Sequence, residues 1–366
     1  MAGRAETVKG ASGGAPRIIS WNITLRCPLK CAHCYVDAGD REAEQALSTE
    51  EAFHVIDEVR ACGKPVVVLS GGEPLLREDV YDIAAYGTRC GLRMVMGTSG
   101  FLIDRAAASR LRRAGIRAVA ISLDSADPQV HDAFRGVSGV WDRAVQAIRY
   151  CQDEEIGVQV NMSVMRPAMR EIEGVIHLGT SLGVRDYQLF FPVPTGRARE
   201  MDPGGPREYE DLIRQVLTRY REEGLNIRPT CAPQFRRIAR DLGISNPAWG
   251  RGCIAGISYC RIYANGDITP CPYLPVRAGN IRETPFSELW ERSPVFAALR
   301  DINRLTGKCG RCGFRRDCGG CRARAYNRAG TVPPGWCDGL AEPDLLKGDL
   351  CSEDPFCPYE PGVAAQ

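Results

Sequence analysis

The chain has 366 residues, of which 44% are hydrophobic and 25% charged, and its formal net charge is +2. These values are ordinary for a soluble globular protein with at least one full core, and they exclude a general basic surface for nucleic acid. The apolar runs are far shorter than a membrane span, and the Gly/Ala-rich start lacks the apolar core of a signal peptide. We therefore expect a cytoplasmic protein that binds neither nucleic acid nor membranes.

Cysteine is the outlier in the composition, with 17 residues. An odd number of cysteines without a secretory signal argues against a disulfide framework. Three lie between Cys27 and Cys34, and 11 lie between Cys231 and Cys357. Such clustering favours metal ligation. The remaining three fall in predicted helices, where a thiol is expected to act as a small buried hydrophobic side chain. These three are Cys62, Cys90 and Cys151.

Predicted strands and helices alternate from residue 17 to about residue 230. The strands are Ile18–Thr24, Val66–Ser70, Arg93–Thr98, Ala118–Leu123, Val158–Val164 and Tyr187–Phe191. The helices are Thr49–Cys62, Glu78–Cys90, Ile103–Ala114, Trp141–Glu155 and Met169–Leu182. Ser48 and Glu51 have the spacing of a capping box for the first helix. Six strand–helix repeats predict an α/β fold, a partial (β/α)6 TIM-like barrel with its sites at the carboxyl ends of the strands.

The character of the sequence changes after residue 230, where Gly, Pro and Cys become frequent and predicted elements become short. Such a region cannot build a large apolar core, so bound metal is expected to stabilise it. We divide the chain into a flexible N-terminus (1–16), a barrel unit (17–229), a linker (230–252) and a cysteine-rich unit (253–366). A helix at Phe235–Leu242 is predicted within the linker.

Cys27, Cys31 and Cys34 are spaced C-x3-C-x2-C directly after the first predicted strand. Thiolates are soft ligands suited to iron–sulfur clusters. Three of them leave one iron of a four-iron cluster free to bind something else. A zinc knuckle or three unrelated buried thiols are the alternatives, but zinc sites usually have four protein ligands and no fourth ligand lies nearby. The spacing favours a [4Fe–4S] cluster.

This segment resembles the radical S-adenosylmethionine (SAM) superfamily, in which the amino and carboxylate groups of SAM bind the free iron. The segment Gly71-Gly72-Glu73-Pro74 follows the second strand and matches the superfamily's GGEP motif, which holds the methionyl amino group. Glycines allow a close backbone approach there. In related enzymes, later strand-end regions contact the ribose and carboxylate of SAM, although each position could be an ordinary polar residue. The matching positions are Ser99, Ser122, Asp124, Arg135 and Asn161.

The C-terminal cysteines resemble a SPASM domain, which carries two auxiliary [4Fe–4S] clusters. The spacing Cys253-x12-Gly266-x4-Cys271, then C-x2-C-x5-C-x2-C and a later Cys, carries this resemblance. It implies that the first auxiliary cluster is bound by Cys253, Cys260, Cys271 and Cys321. It implies that the second is bound by Cys309, Cys312, Cys318 and Cys337. Three [4Fe–4S] clusters and SAM are therefore the expected cofactors.

One departure from the SPASM pattern is that Cys318 and Cys321 enclose two residues where the pattern has three. The alternative for this region is two structural zinc ions, each held by four thiolates. Cys351 and Cys357 lie beyond the pattern. Three roles are open for them: alternative cluster ligands, a lid over the site, or buried thiols. Cys231 has no assigned role.

Within the superfamily the chain resembles the heme b synthases, which decarboxylate iron-coproporphyrin III. The segments that carry this resemblance are Phe191–Ala198, Pro229–Pro233, Arg251–Cys253, Gly279–Phe286, Thr306–Cys312 and Cys318–Ala325. The resemblance implies a tetrapyrrole substrate, conversion of two propionates to vinyl groups, and an electron donor such as a flavodoxin or ferredoxin. An anionic tetracarboxylate needs cationic partners, for which Arg197 and Arg199 are candidates. A solvated basic loop is the alternative for these arginines.

Other functions fit parts of the pattern. A peptide maturase is one, although residues 1–16 are too few for the leader-binding domain that many maturases carry. A sister tetrapyrrole enzyme that acts on didecarboxysiroheme is another. A ferredoxin-like electron carrier would need neither GGEP nor an open-coordinate cluster, and it should not cleave SAM. The oligomeric state stays open.

Overall fold

The computed structural model describes residues 14–221, 223–246, 249–327 and 349–362. Strands and helices alternate along the first two thirds of the chain. The strands are β1 Ile18–Thr24, β2 Val66–Gly71, β3 Arg93–Thr98, β4 Ala118–Ser122, β5 Gly157–Ser163, β6 Asp186–Phe190, β7 Asn226–Thr230, β8 Tyr259–Ile262, β9 Asp267–Thr269 and β10 Gly279–Asn280. The helices are α1 Thr49–Ala61, α2 Val80–Arg89, α3 Arg105–Arg113, α4 Pro128–Arg135, α5 Val140–Asp153, α6 Ile172–Ser181, α7 Pro206–Arg219, α8 Phe235–Asp241, α9 Phe286–Arg292, α10 Pro294–Arg300, α11 Gly307–Arg311 and α12 Arg322–Asn327.

All ten strands form one open sheet in the order β10-β9-β8-β1-β2-β3-β4-β5-β6-β7. Strands β1 to β7 pair in parallel with their neighbours, β8 pairs in parallel with β1, and β9 and β10 are antiparallel. The predicted six-stranded partial barrel is confirmed, and β7 extends it. Sequence analysis missed β7 because it contains Pro229, which a strand tolerates at the edge of a sheet. It also missed α4 and α7.

The main core lies between the sheet and the helices outside it. Ile19, Trp21 and Ile23 of β1 are buried in this core. Because successive side chains of a strand point to opposite faces, the intervening polar residues of β1 face the barrel interior. The predicted capping box of α1 is present, with Ser48 and Glu51 bonded reciprocally.

The three cysteines predicted as buried hydrophobic side chains lie against the core. Cys151 is fully buried in it, and Cys62 and Cys90 are half-buried and pack against it. Burial raises the pKa of the Cys151 thiol to about 12, so this side chain stays protonated and neutral.

The cysteine-rich part of the chain is joined to the barrel through β8, which lies beside β1. Helix α8 follows β7 and confirms the helix predicted in the linker. The domain limits drawn from composition stay a prediction. Within the described ranges, no helix combines the length and the apolar character needed to cross a membrane.

Candidate cofactor site and thiol groups

The cluster loop, residues 27–38, leaves the carboxyl end of β1 and carries the first three cysteines. Its entry is fixed by a hydrogen bond of 2.7 Å from the Cys27 amide to the Gly39 carbonyl. Burial raises the pKa of the Cys27 thiol to about 12, and the nearby thiols of Cys31 and Cys34 also raise it. The Cys34 Sγ accepts the Ala38 amide at 3.3 Å. Thiolates held this way need a cationic partner, and an iron–sulfur cluster provides one.

The end of α4 supports the outer side of the cluster loop. The amides of Lys30 and Ala32 donate to carbonyls of residues 135 and 134, each at 3.1 Å. The His33 ring stacks on Phe134 with centroids 4.4 Å apart and an interplanar angle of 6°. Burial lowers the pKa of His33 to about 3, so the ring is neutral. Gly136 has φ +73°, and a Cβ there would lie 2.7 Å from the Lys30 carbonyl.

Two predicted SAM-site residues form a buried ion pair behind the cluster loop. Arg135 donates to Asp124 through Nε at 2.7 Å and Nη2 at 2.5 Å. Its Nη1 lies 3.8 Å from the Cys31 Sγ. Asp124 also accepts the Ser163 amide at 2.8 Å. Burial alone would raise the pKa of Asp124, but the charge of Arg135, helped by the hydrogen bond from the Ser163 amide, opposes burial and the pKa is lowered. The pair therefore carries charge next to the thiols.

The GGEP motif is packed against the end of β1 and the start of the cluster loop. The Gly72 amide donates to the Thr24 carbonyl at 2.9 Å, and the Glu73 amide donates to the Arg26 carbonyl at 2.8 Å. A Cβ at Gly71 would lie 2.2 Å from the Thr24 carbonyl oxygen, and one at Gly72 would lie 2.2 Å from that of Arg26. Side chains are thus excluded at both glycines. Pro74 is buried and begins a turn of 3-10 helix.

The Glu73 carboxylate is fully buried and joins the motif to β3. It accepts hydrogen bonds from Thr98 Oγ1 at 2.7 Å, the Ser99 amide at 3.0 Å and Ser99 Oγ at 2.5 Å. Burial raises the pKa of Glu73, and these donors oppose that rise. Ser99 was predicted at this site and Thr98 was missed. The sequence offered one signal for Thr98, which is that it carries a hydroxyl group and directly precedes Ser99.

We expect Glu73→Ala to weaken SAM binding while the iron of the cluster is retained. Loss of the carboxylate also leaves the Thr98 and Ser99 donors unpaired, which costs about 1–3 kcal/mol for each buried group. Isothermal titration with SAM, iron content and thermal unfolding check this. Glu73→Gln is the matched control because its amide oxygen still accepts hydrogen bonds. Equal loss of iron and SAM binding in the alanine variant would contradict the expectation.

Ser122, at the end of β4, lies beside Asn161 of β5, since the two are register partners. Both are half-buried. The Asn161 side chain accepts a hydrogen bond of 2.7 Å from Gln159 Nε2. The strand-end positions, the glycine cradle and three thiols fit a cluster with one open iron and a bound SAM.

Arg197 is bound to the cluster loop. Its Nε donates to the Cys31 carbonyl at 2.8 Å, and its Nη1 donates to Asp37 Oδ1 at 2.6 Å and to the Ala38 carbonyl at 3.1 Å. Its amide donates to the Cys34 carbonyl at 3.0 Å. Nη2 is buried without a hydrogen-bond partner. Arg197 therefore holds the loop in place, a role that sequence analysis did not anticipate.

A polar and aromatic contact connects the cluster loop to the cysteine-rich part. Arg261 Nη2 donates to Asn22 Oδ1 and to the Tyr35 hydroxyl. Tyr35 meets Tyr273 edge-on, with ring centroids 5.4 Å apart. Tyr273 lies two residues after Cys271, so this contact connects the two cysteine regions.

Three of the four ligands predicted for the first auxiliary cluster lie together. The thiols of Cys253 and Cys321 help to raise the pKa of Cys271, after burial as the main cause. Cys260 does not join them. It is fully buried on β8, where it pairs with Ile19, and the ionisable groups that act on its thiol are Cys62 and Arg300. Its side chain belongs to the core between sheet and helices.

Three of the four thiols predicted for the second auxiliary cluster line one open cavity. Cys309, Cys312 and Cys318 line it, together with Cys357, which the SPASM pattern did not include. Cys337 lies outside the described residues. The Asp354 amide, beside this cavity, donates to the Cys309 Sγ at 3.4 Å. Sequence analysis gave Cys357 only as a possible alternative ligand, because a Cys beyond the SPASM pattern has no fixed spacing to the others.

The short spacing between Cys318 and Cys321 is accommodated by two glycines in the left-handed region. Gly319 has φ +77° and Gly320 has φ +60°. A Cβ at Gly320 would lie 2.8 Å from the Cys309 Sγ. The tight turn places Cys318 in the cavity and Cys321 with the other thiol group, as predicted. Across the described ranges, no three Cys, His, Asp or Glu side chains are arranged to hold a single metal ion.

Comparison with known proteins agrees with this site. A family model described as the radical SAM superfamily matches residues 21–178. A second model, SPASM, described as an iron-sulfur cluster-binding domain, matches residues 253–313. Streptococcus suis SuiB bound to S-adenosylmethionine has the same fold. It covers 94% of this chain and 78% of its own, with a TM-score of 0.73 and 17% identity.

Relatives that match nearly the whole chain identify its family within this superfamily. The AdoMet-dependent heme synthase of Methanosarcina barkeri is 40% identical over a 363-residue alignment that covers 96% of this chain and 99% of that protein. The Fe-coproporphyrin III synthase of the same organism is 31% identical over 88% of this chain and 86% of its own. The chain therefore belongs to the radical SAM superfamily with a SPASM domain and, within it, to the family of the AdoMet-dependent heme synthases.

Membership in this family fixes the cofactors by class. The chain is a radical SAM enzyme that uses a [4Fe–4S] cluster with SAM, and its SPASM region binds additional iron–sulfur clusters. The prediction from the C-x3-C-x2-C and GGEP motifs is confirmed. The zinc and electron-carrier alternatives are set aside.

Proposed function

We propose that this enzyme oxidatively decarboxylates two propionates of iron-coproporphyrin III to vinyl groups, which gives heme b. The observation that carries the proposal is the similarity of nearly the whole chain to proteins named AdoMet-dependent heme synthase. A tetrapyrrole substrate, a flavodoxin or ferredoxin as electron donor and a cytoplasmic location are parts of this proposal.

The chain's own residues prepare the site for this chemistry. When bound, the cluster and SAM supply a 5′-deoxyadenosyl radical that takes a hydrogen atom from a propionate β-carbon. In this proposal the buried Glu73 carboxylate, held by Thr98 and Ser99, takes part in holding the methionyl amino group. Gly71 and Gly72 keep the backbone close to β1. Each propionate that becomes a vinyl group also releases CO2 and one electron, for which the C-terminal thiols can hold auxiliary clusters as acceptors.

Substrate carboxylates need guanidinium partners at the carboxyl edge of the barrel. Arg197 and Arg199 lie there on one turn, Gly196–Glu200. Arg197 offers only Nη2, because its other donors hold the cluster loop. The loss of Arg197 would thus disturb both the cluster loop and the substrate. Arg199 lies on the same turn, so Arg199→Ala tests carboxylate binding without removing the contacts of Arg197 to the cluster loop.

The test is to incubate the reduced holoenzyme with SAM and iron-coproporphyrin III without oxygen and to follow tetrapyrroles by mass spectrometry. We expect a monovinyl intermediate and then heme b. Arg199→Ala should weaken porphyrin binding by about ten- to a hundredfold while SAM cleavage without substrate persists. The control is Arg219→Ala, which removes an exposed pair with Glu173 on the outside of the barrel. Active SAM cleavage with unchanged porphyrin, in the presence of an electron acceptor, would contradict the proposal.

Two other substrates remain as outcomes of the same assay. Turnover of didecarboxysiroheme would identify the chain as a sister tetrapyrrole enzyme, in keeping with its similarity to an Fe-coproporphyrin III synthase. Turnover of neither tetrapyrrole would direct the search to ribosomal peptides.

A further inference from the structure

We propose that Cys231, and not Cys260, completes the ligand set of the first auxiliary cluster with Cys253, Cys271 and Cys321. The inference concerns cluster assembly and does not depend on the identity of the substrate. It changes one ligand of the set implied by the SPASM pattern, because the structure separates that residue from the other three.

The sheet itself lies between Cys260 and the other thiols. Successive side chains of β8 point to opposite faces. Arg261 reaches Asn22 and Tyr35 on the inner side. Cys260 therefore points the other way, into the core that also contains Ile19. To reach the inner side, β8 would have to slip by one residue, which would bury Arg261 in the apolar core.

Cys231 follows β7 directly and is bonded to the turn that carries Cys321. Its carbonyl accepts a hydrogen bond of 2.5 Å from Arg324 Nη1. Arg324 is three residues after Cys321, and its other donors bind Asp354 at 3.0 Å. Asp354 in turn accepts the Cys321 amide at 2.8 Å. This network holds Cys231 and Cys321 beside each other although 90 residues separate them in the chain.

The backbone of Cys231 is held in an unusual conformation. Its φ is +59°, in the left-handed region that non-glycine residues rarely adopt. Such a conformation is costly and persists where the surroundings enforce it, often at functional sites. Here it turns the chain sharply at the end of β7, towards the cysteine-rich part.

The other two thiols reach the same place by backbone contacts and packing. Gly252, before Cys253, lies so close to Pro233 that a Cβ there would be 2.7 Å from the Pro233 carbonyl oxygen. Cys231 and Cys271 both pack against the apolar cluster that contains Cys321. The Cys253 amide donates to the carbonyl of Cys318, three residues before Cys321, at 3.0 Å. Backbone contacts and packing thus bring the four cysteines to one region.

This ligand would attach the cluster to the barrel. Thr230, the residue before Cys231, donates through Oγ1 to Gln188 Oε1 at 3.3 Å on the inner face of the sheet. A cluster bound by Cys231 would therefore sit at the carboxyl edge of β7.

The experiment counts iron in full-length protein reconstituted anaerobically with ferrous iron and sulfide. In a background with Cys27, Cys31 and Cys34 replaced by alanine, about eight irons should remain, at about four per cluster. Cys231→Ala should lower this to about four, and Cys253→Ala should have the same effect. Cys260→Ala should keep about eight. Retention of about eight irons by Cys231→Ala with an unchanged electron paramagnetic resonance (EPR) spectrum, or a fall to about four in Cys260→Ala, would overturn the proposal.

A second variant covers a failure of Cys231→Ala to fold. Cys231→Ser keeps the shape of the side chain and offers an oxygen ligand, so the cluster can persist. We expect an altered EPR spectrum for one of the two auxiliary clusters and a shifted reduction potential. A spectrum and potential identical to those of the parent protein would show that Cys231 is not a ligand.

Discussion

Replacing Cys27, Cys31 and Cys34 together with alanine is expected to abolish SAM cleavage and to remove about four of about twelve irons. The three thiols lie on one loop, whose amides and carbonyls are bonded to Gly39, α4 and Arg197. Because the C-terminal thiol groups belong to a separate part of the chain, their clusters should remain. Iron and sulfide content, EPR of the reduced protein and chromatography of 5′-deoxyadenosine measure the result.

A matched control variant replaces three other cysteines, which lie in or against the main core between the sheet and the helices. Cys62, Cys90 and Cys151 lie in or against the main core, away from both cysteine regions. Their joint replacement by alanine should leave iron content and SAM cleavage unchanged and lower stability modestly. Stoichiometric zinc without sulfide in protein from iron-replete cells would refute the three-cluster count.

Arg135→Met is expected to destabilise the protein by about 3–5 kcal/mol, because it leaves the buried charge of Asp124 without its partner. Both side chains are almost fully buried, with 8% and 1% of their surfaces exposed. The substitution also removes the donor to the Cys31 Sγ. Since hydrogen bonds to cluster sulfur favour the reduced state, the potential of the SAM cluster should fall.

Denaturant unfolding and a redox titration of the SAM cluster check this expectation. In Arg135→Met/Asp124→Asn the buried charge is absent while the oxygen that accepts the Ser163 amide is kept, so much of the stability should return. Arg105→Ala is the control, since its pair with Asp153 is exposed and should contribute less than about 1 kcal/mol. A loss in Arg135→Met as small as that of Arg105→Ala would show that Asp124 does not depend on Arg135.

The barrel could be predicted from sequence because its signals are local. Each of the six predicted strands lies within a residue or two of an observed one, and the Ser48–Glu51 capping box is present as expected. Residues near in sequence decide these features through the periodicity of burial and the chemistry of helix ends. The motifs predicted the class of cofactor because they too are local: Cys27, Cys31 and Cys34 share one loop, and GGEP forms one turn.

Only the tertiary structure decided which distant groups meet. A spacing pattern assigns Cys260 to a cluster, but the alternation of β8 directs its thiol into the core. Cys231 and Cys357 join thiol groups from positions with no fixed spacing to the others. Arg197 was expected to meet a substrate, and the fold places it on the cluster loop. In each case the position of the side chain depends on which face of a strand carries it or on the path of a loop. Because contacts between distant segments determine these, the sequence motifs alone could not show them.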